Sequence, residues 1–311
     1  MKIAVIGSGG VGGYFGARLA AAGNDVTFVA RGAHLQAMKK NGLQVYSALG
    51  DMRLANPKCT EDTATIGPVD VAMIAVKLWS TEEAVAAAKP LVGPDTAVVS
   101  FQNGIVAADV ISRVYGDRHT MGGVSAIAAL IEEPGVIRHN GQMASLVFGE
   151  LDGSSSNRAN SLLKACTDAG IQAKLTDDIR TAIWQKFVLL VTMSSMTSLC
   201  RMPIGPIRAN PATRALLRQV MDEVIAVARA KGAKLPQDIG DKQMSSIEGM
   251  PPTMVASMCG DLQRGNRLEL PWLASTVATL GRELGVATPA NQFVHAALTL
   301  FENGRPAEAR V

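Results

Sequence analysis

The sequence predicts an α/β protein: a doubly wound sheet over residues 1–176, followed by an all-α domain over 177–311. Three observations carry this. The first half repeats short apolar runs that alternate with helix-like segments, the signature of βα units. The first unit turns on a glycine cluster, G-S-G-G-V-G at 7–12. After Asp177-Asp178 the apolar runs stop, and the pattern is helical almost to the end.

Ile3-Ala4-Val5-Ile6 reads as a strand and the Ala/Leu-rich stretch Ala17–Ala22 as a helix, with the glycines as the turn between them. Gly7, Gly9 and Gly12 fit G-x-G-x-x-G. Gly7 permits the sharp turn, Gly9 leaves room for a pyrophosphate against the backbone, and Gly12 lets helix and strand approach. The helix N-terminus offers N–H groups and a positive dipole end to phosphates. Residues Gly7, Ser8, Gly9, Gly10, Val11 and Gly12 are therefore candidate cofactor contacts, in a Rossmann-like unit. A glycine-rich turn with no ligand is the alternative, and its place between a strand and a helix argues against it.

Asp25–Ala30 is the second strand. Sites for NAD place an Asp or Glu at its end, to accept from the ribose 2′-hydroxyl. Here the chain has Arg31, whose guanidinium suits a 2′-phosphate, so the expected cofactor is NADPH. A solvated surface arginine is the competing reading. Lys39 and Lys40 read as solvent-facing.

Val69–Val76 is a continuous apolar run, as in a strand buried on both faces, and Lys77 ends it. Ser80-Thr81-Glu82-Glu83 resembles a capping box opening a helix through Ala88. Thr96–Phe101 is a further strand, closed by Gln102-Asn103-Gly104 and followed by a helix over 105–114. Strands are expected at 122–127, 136–139 and 145–149, then a helix over 155–169 stopped by Gly170. In the second half, Asn210-Pro211 caps and opens a helix reaching Lys231, and Thr288-Pro289 opens the last helix, which Asn303-Gly304 ends.

Composition bounds the function. Of the 311 residues, 48% are hydrophobic and 18% charged, which supports sizeable cores. A net charge of +3, without a basic run, argues against a nucleic-acid partner. No apolar stretch reaches the roughly 18 residues that span a bilayer, and the short N-terminal run is no signal peptide, so no membrane role and a cytoplasmic location are expected. Cys59, Cys166, Cys200 and Cys259 are scattered and read as thiols. His34, His119, His139 and His295 make no metal pattern and read as surface or packing residues.

Ligands of open parallel sheets bind beyond the carboxyl ends of the strands. Lys77, Asn103 and Ser125 sit at such ends. Asn103 either borders the cofactor or serves as a turn or helix-cap asparagine. In the helical half, Trp184-Gln185-Lys186-Phe187-Val188-Leu189-Leu190 sets one lysine in an apolar helix, either snorkelling to water or aimed into a cleft. Desolvation would bring such a lysine toward the range useful for proton transfer. Downstream lie Ser257, Asp261, Arg264, Asn266, Arg267 and Glu269, each unremarkable alone.

Together these residues resemble the ketopantoate reductases (2-dehydropantoate 2-reductases), over nearly the whole chain. The resemblance rests on I-A-V-I-G-S-G-G-V-G-G-Y-F-G, Arg31, Lys77, Asn103-Gly104, Lys186 and Ser257-Met258…Asp261…Gly265…Glu269. It implies a Rossmann domain plus an all-α domain with the active site in the cleft between, and reduction of 2-dehydropantoate to (R)-pantoate with NADPH in pantothenate synthesis. By resemblance, Lys186 is the general acid and Glu269 contacts the lysine or the substrate hydroxyl. Asn103 lies between nicotinamide and substrate, and Ser257 holds the substrate carboxylate. Ser125 and Ser194 are further candidate substrate contacts, and no metal is implied.

Two positions depart from that pattern. The family usually has asparagines four and eight residues after the lysine, where this chain has Leu190 and Ser194. A further position, three residues before Ser257 and polar in the family, is Met254 here. Three readings follow: a reductase of 2-dehydropantoate, a reductase of another 2-oxo acid, or a non-catalytic NADP-binding regulatory protein. The partner expected is a small-molecule 2-oxo acid. A homodimer is compatible with the sequence.

Overall fold

The computed structural model describes residues 1–307, so the last four residues of the expected second domain, 308–311, lie outside the described residues. The chain divides into two compact units, the first Met1–Ala182 and the second beginning at Ile183. The sequence reading places the division at 176.

The first unit contains, in order, β1 (Lys2–Ile6), α1 (Gly10–Ala21), β2 (Asp25–Val29), α2 (Gly32–Asn41), β3 (Leu43–Ser47), β4 (Met52–Leu54) and β5 (Lys58–Thr60). There follow β6 (Val69–Ile74), α3 (Thr81–Ala87), β7 (Val92–Ser100), α4 (Ala107–Tyr115), β8 (Thr120–Glu133), β9 (Val136–Glu150), α5 (Asn157–Asp168) and β10 (Gln172–Leu175). One sheet holds all ten strands, in the order β4-β3-β9-β8-β7-β6-β1-β2-β5, with β10 beside β9. Within it, β5-β2-β1-β6-β7-β8 is wholly parallel. The chain leaves β1 first toward β2 and β5, and later returns to its other side through β6. The carboxyl end of β1 is thus the switch point of the sheet, where such folds bind their ligands.

The central strands are buried on both faces because their side chains alternate between two apolar layers. Ile3, Val5, Val71 and Met73 join Phe15, Phe28, Phe101 and Phe148 in one core. Ala4, Ile6, Ala72 and Ile74 join Val85, Val98 and Ile111 in the other.

Three expectations are corrected. The strands expected at 122–127, 136–139 and 145–149 are parts of two long strands, β8 and β9, which pair antiparallel from Met121↔Glu150 to Glu133↔Val136. The sheet is therefore mixed. Charged residues such as Glu132 and Arg138 interrupt the apolar run on the outer half of this hairpin, yet pair across it at 2.5 Å. The expected capping box does not form: Ser80 makes no side-chain cap, and Thr81 Oγ1 donates instead to Leu78 O at 2.8 Å. The last helix ends at Leu298 and passes into a 3₁₀ turn through Phe301, ahead of Asn303-Gly304.

The helices beyond β10 are α6 (Ile179–Cys200), α7 (Ile204–Ala209), α8 (Pro211–Ala230), α9 (Ile239–Gly249), α10 (Ser257–Arg264), α11 (Ala274–Leu284) and α12 (Pro289–Leu298). The first residues of α6 belong to the first unit and the rest to the second. Asn210 caps α8, its Oδ1 accepting from Ala212 N and Thr213 N. The start of α12 is capped from a distance by buried Glu223 of α8, which accepts from Ala290 N and Asn291 N, both at 2.9 Å. No helix among the described residues is long and apolar enough to cross a membrane.

Candidate active site

The glycine turn between β1 and α1 is built by steric exclusion. Gly7 has φ +94°, and a Cβ there would stand 2.6 Å from Val76 N. A Cβ on Gly12 would stand 2.2 Å from Gly7 O. Gly9 is different: a Cβ there would meet nothing within 4 Å. Gly7 and Gly12 are thus required by the protein's own backbone, whereas the bare face of Gly9 borders open space at the N-terminus of α1. That is the cradle a pyrophosphate needs. Gly10 has a packing role as well, because its Cβ would collide with Ala129 O of β8 at 2.2 Å.

The Ser8 hydroxyl donates to Val29 O at 3.1 Å and the residue is buried, so its side chain ties the turn to β2. His34, read from sequence as a surface or packing residue, holds the same turn. Gly135 N donates to His34 Nδ1 at 3.1 Å, so Nε2 carries the proton and donates to Ser8 O at 2.9 Å. Burial lowers the His34 pKa below 6.5, and the bond to Ser8 opposes that shift. No local sequence signal points to this role, because one partner is 26 and the other 101 residues away.

Arg31 is exposed at the N-cap of α2, directly beyond β2. Its Nη1 lies 2.6 Å from Glu83 Oε1 in the first turn of α3. Lys77, exposed just beyond β6, holds its Nζ 5.6 Å from the centre of the Trp79 ring. Asn103 is half-buried beyond β7. Its loop is pinned by Gln102, which the sequence reading passed over. Gln102 Nε2 donates to Val76 O and Thr81 Oγ1, both at 2.9 Å, and its Oε1 accepts from Ser100 Oγ at 3.0 Å. Ser125 is buried, and its hydroxyl donates to Phe101 O at 2.8 Å, so it braces the strand end before Asn103.

In the second unit, Lys186, Leu190 and Ser194 follow one another at intervals of four along α6 and so share a face. Lys186 is half-buried, and its helix neighbours Trp184 and Phe187 pack their rings edge to face at 5.5 Å. Burial brings the Lys186 pKa down to about 8, against the opposing pull of the Glu269 carboxylate. Glu269 is itself 6% exposed, so the two charges interact out of bulk water. Leu190 is half-buried. Ser194 is fully buried, and its Oγ has no hydrogen-bond partner among the described residues. Ser257 is exposed at the first position of α10. That helix is docked on α6 through Thr197, whose Oγ1 accepts from Ala256 N at 3.4 Å and whose carbonyl accepts from Cys259 Sγ at 3.2 Å. Asp261 has a local task, accepting from Arg264 and Asn266 at 2.8 and 3.2 Å where α10 ends. Among the described residues no cluster of His, Cys, Asp or Glu could hold a metal ion.

A doubly wound sheet with a glycine turn at its switch point, followed by a helical unit, is an architecture found in pyridine-nucleotide oxidoreductases. The chain belongs to the ketopantoate reductase family: residues 3–153 match the model described as "Ketopantoate reductase PanE/ApbA", and residues 178–302 its C-terminal counterpart. It is 33% identical to the 2-dehydropantoate 2-reductase of Mesorhizobium japonicum, covering 93% of this chain and 94% of that protein. It is 28% identical to an uncharacterized oxidoreductase of Bacillus subtilis, covering 97% of this chain and 99% of that protein. The crystal structure of the 2-dehydropantoate 2-reductase from Geobacter metallireducens superposes with a TM-score of 0.90 at 29% identity, covering 96% and 99% of the two chains.

Proposed function

We propose that this chain reduces the ketone of a 2-oxo acid with NADPH, and that the acid is 2-dehydropantoate. Lys186 carries the proposal: a lysine in an apolar helix, with its pKa lowered to about 8 and a buried carboxylate acting on it. At neutral pH it is still mostly protonated, and it gives up its proton far more readily than a solvated lysine does.

The residues fit the cofactor, since the open face of Gly9 and the first turn of α1 suit a pyrophosphate and Arg31 suits a 2′-phosphate. When bound, NADPH supplies the hydride that reduces the carbonyl carbon. Lys186 Nζ gives its proton to the carbonyl oxygen as negative charge grows there. Glu269 holds positive charge on the lysine until that moment. Ser257, at the N-terminus of α10, serves as donor to the substrate carboxylate, and Gln102 keeps the Asn103 loop in one conformation.

NADPH oxidation followed at 340 nm, with 2-dehydropantoate and a panel of other 2-oxo acids, tests the proposal. Turnover of 2-dehydropantoate, together with rescue of a pantothenate auxotroph, is expected, and turnover of no 2-oxo acid would refute it. A second reading, reduction of a bulkier 2-oxo acid, is favoured by half-buried Leu190 one turn from Lys186. The double variant Leu190→Asn/Ser194→Asn separates the two. It improves efficiency on 2-dehydropantoate if that is the natural substrate, and lowers activity on every acid tested if the apolar face is an adapted pocket.

A further inference from the structure

We propose that Glu83 tempers the cofactor preference of this chain: it competes with a ribose 2′-phosphate for Arg31 and offers the 2′-hydroxyl of NADH an acceptor, so that NADH serves as a usable second cofactor. The proposal rests on the NADPH reading above and adds a residue to it. Arg31 Nη1 and Glu83 Oε1 are 2.6 Å apart, with side chains 65% and 60% exposed. Arg31 follows β2 and Glu83 stands in the α3 turn that follows β6, while β2 and β6 are the two neighbours of β1. The pair therefore links the two flanks of the glycine turn, beyond the carboxyl ends of the strands, where a dinucleotide lies in such a sheet.

The chemistry follows from charge and donor type. A guanidinium has only donors, and a phosphate and a carboxylate compete for the same fork. With Glu83 in contact, the site presents a compensated charge to an incoming 2′-phosphate, and the two anions repel. A 2′-hydroxyl meets no repulsion and can donate to the carboxylate. NAD-preferring sites place that acid at the end of the second strand. Here the strand ends in Arg31, and the acid arrives from a helix 52 residues further along the chain. Its neighbour Glu82 takes a different partner, Arg113 of α4, at 3.6 Å. An ion pair this exposed adds little to folding stability, so Glu83 can be changed without unfolding the unit.

The test is direct binding, without substrate. NADPH and NADH are titrated into the full-length protein by calorimetry, alongside 2′,5′-ADP and 5′-ADP, which report the adenosine end alone. Glu83→Gln is expected to tighten NADPH and 2′,5′-ADP and to weaken NADH, widening the NADPH/NADH affinity ratio by about tenfold. Arg31→Ala, with Glu83 retained, is expected to bring the two affinities level or to favour NADH. A ratio that stays within about twofold of the parent protein in Glu83→Gln, with an unchanged urea midpoint, overturns the role of Glu83 and leaves the NADPH reading standing. Failure of the parent protein to bind any of the four nucleotides overturns both.

Discussion

On the mechanism proposed above, Lys186 concentrates the chemistry at the scale of one residue. Its pKa of about 8 places the loss of its proton inside the range of an ordinary assay. Ketone reduction needs the ammonium form, so kcat should fall as pH rises through about 8. Oxidation of the corresponding hydroxy acid needs the amine, and its kcat should rise through the same point. Lys186→Met should lower kcat by roughly 10²-fold or more and remove the break in both profiles. A break that survives in the variant would assign the titration to another group. This residue was legible in the sequence because a lone lysine amid Trp184, Phe187, Val188 and Leu189 breaks an apolar run. Gln102, His34 and Glu83 were not legible. Each acts through a partner far along the chain, and nothing in the flanking residues announces such a contact.

Among the elements, the glycine turn separates packing from binding. An alanine at position 9 enters open space, whereas one at position 12 meets a backbone oxygen. Gly9→Ala should therefore leave the unfolding midpoint almost unchanged while weakening NADPH binding. Gly12→Ala should destabilise the protein by at least about 1–3 kcal/mol, because backbone cannot yield as a side chain can. Equal loss of stability in both variants, seen by urea denaturation, would show that Gly9 is also a packing residue. The cap of α12 gives a second case. Glu223 accepts from two backbone amides and from Asn291 Nδ2, at 2.8–2.9 Å. Glu223→Leu leaves the two buried backbone amides without this acceptor, while Asn291 Nδ2 keeps Val220 O, and should lower stability by about 2 kcal/mol or more. Sequence showed that α12 starts at Thr288-Pro289 but not who caps it, because the cap comes from α8. The same limit explains the sheet: the inner parts of central strands, Val71–Ile74 of β6 and Ala97–Val99 of β7, are apolar runs, while β4 and β5 are three-residue edges with almost no pattern to read.

The succession of a sheet and then helices was written in the hydrophobic pattern of the whole molecule, since parallel strands need two buried faces and the helices after Asp178 need one. The order of the strands, and the antiparallel β8–β9 hairpin, were not, because pairing partners leave no mark on a single sequence. Burial of ionisable groups across the molecule also sets how stability varies with pH. His34 has a folded pKa below its ordinary 6.5, so between those two values the unfolded chain binds more protons than the folded one. Its contribution is complete above pH 6.5 and is lost as the pH falls below that value. On the alkaline side, burial raises Cys166 from 9.0 to about 12, so that stability falls from about pH 9 upward as the unfolded thiol ionises first. Lys186 works the other way, its pKa lowered from 10.5 to about 8, and adds stability between those values. Each group contributes a slope of at most about 1.4 kcal/mol per pH unit. The urea midpoint should therefore fall as pH drops from 7 to 5. In His34→Gln, whose amide can still donate to Ser8 O and accept from Gly135 N, that fall should be shallower. The same change in Cys166→Ser should appear only above pH 9. An acid-side slope as steep in His34→Gln as in the parent protein would move the titration away from the histidine that ties the glycine turn to the β8–β9 hairpin.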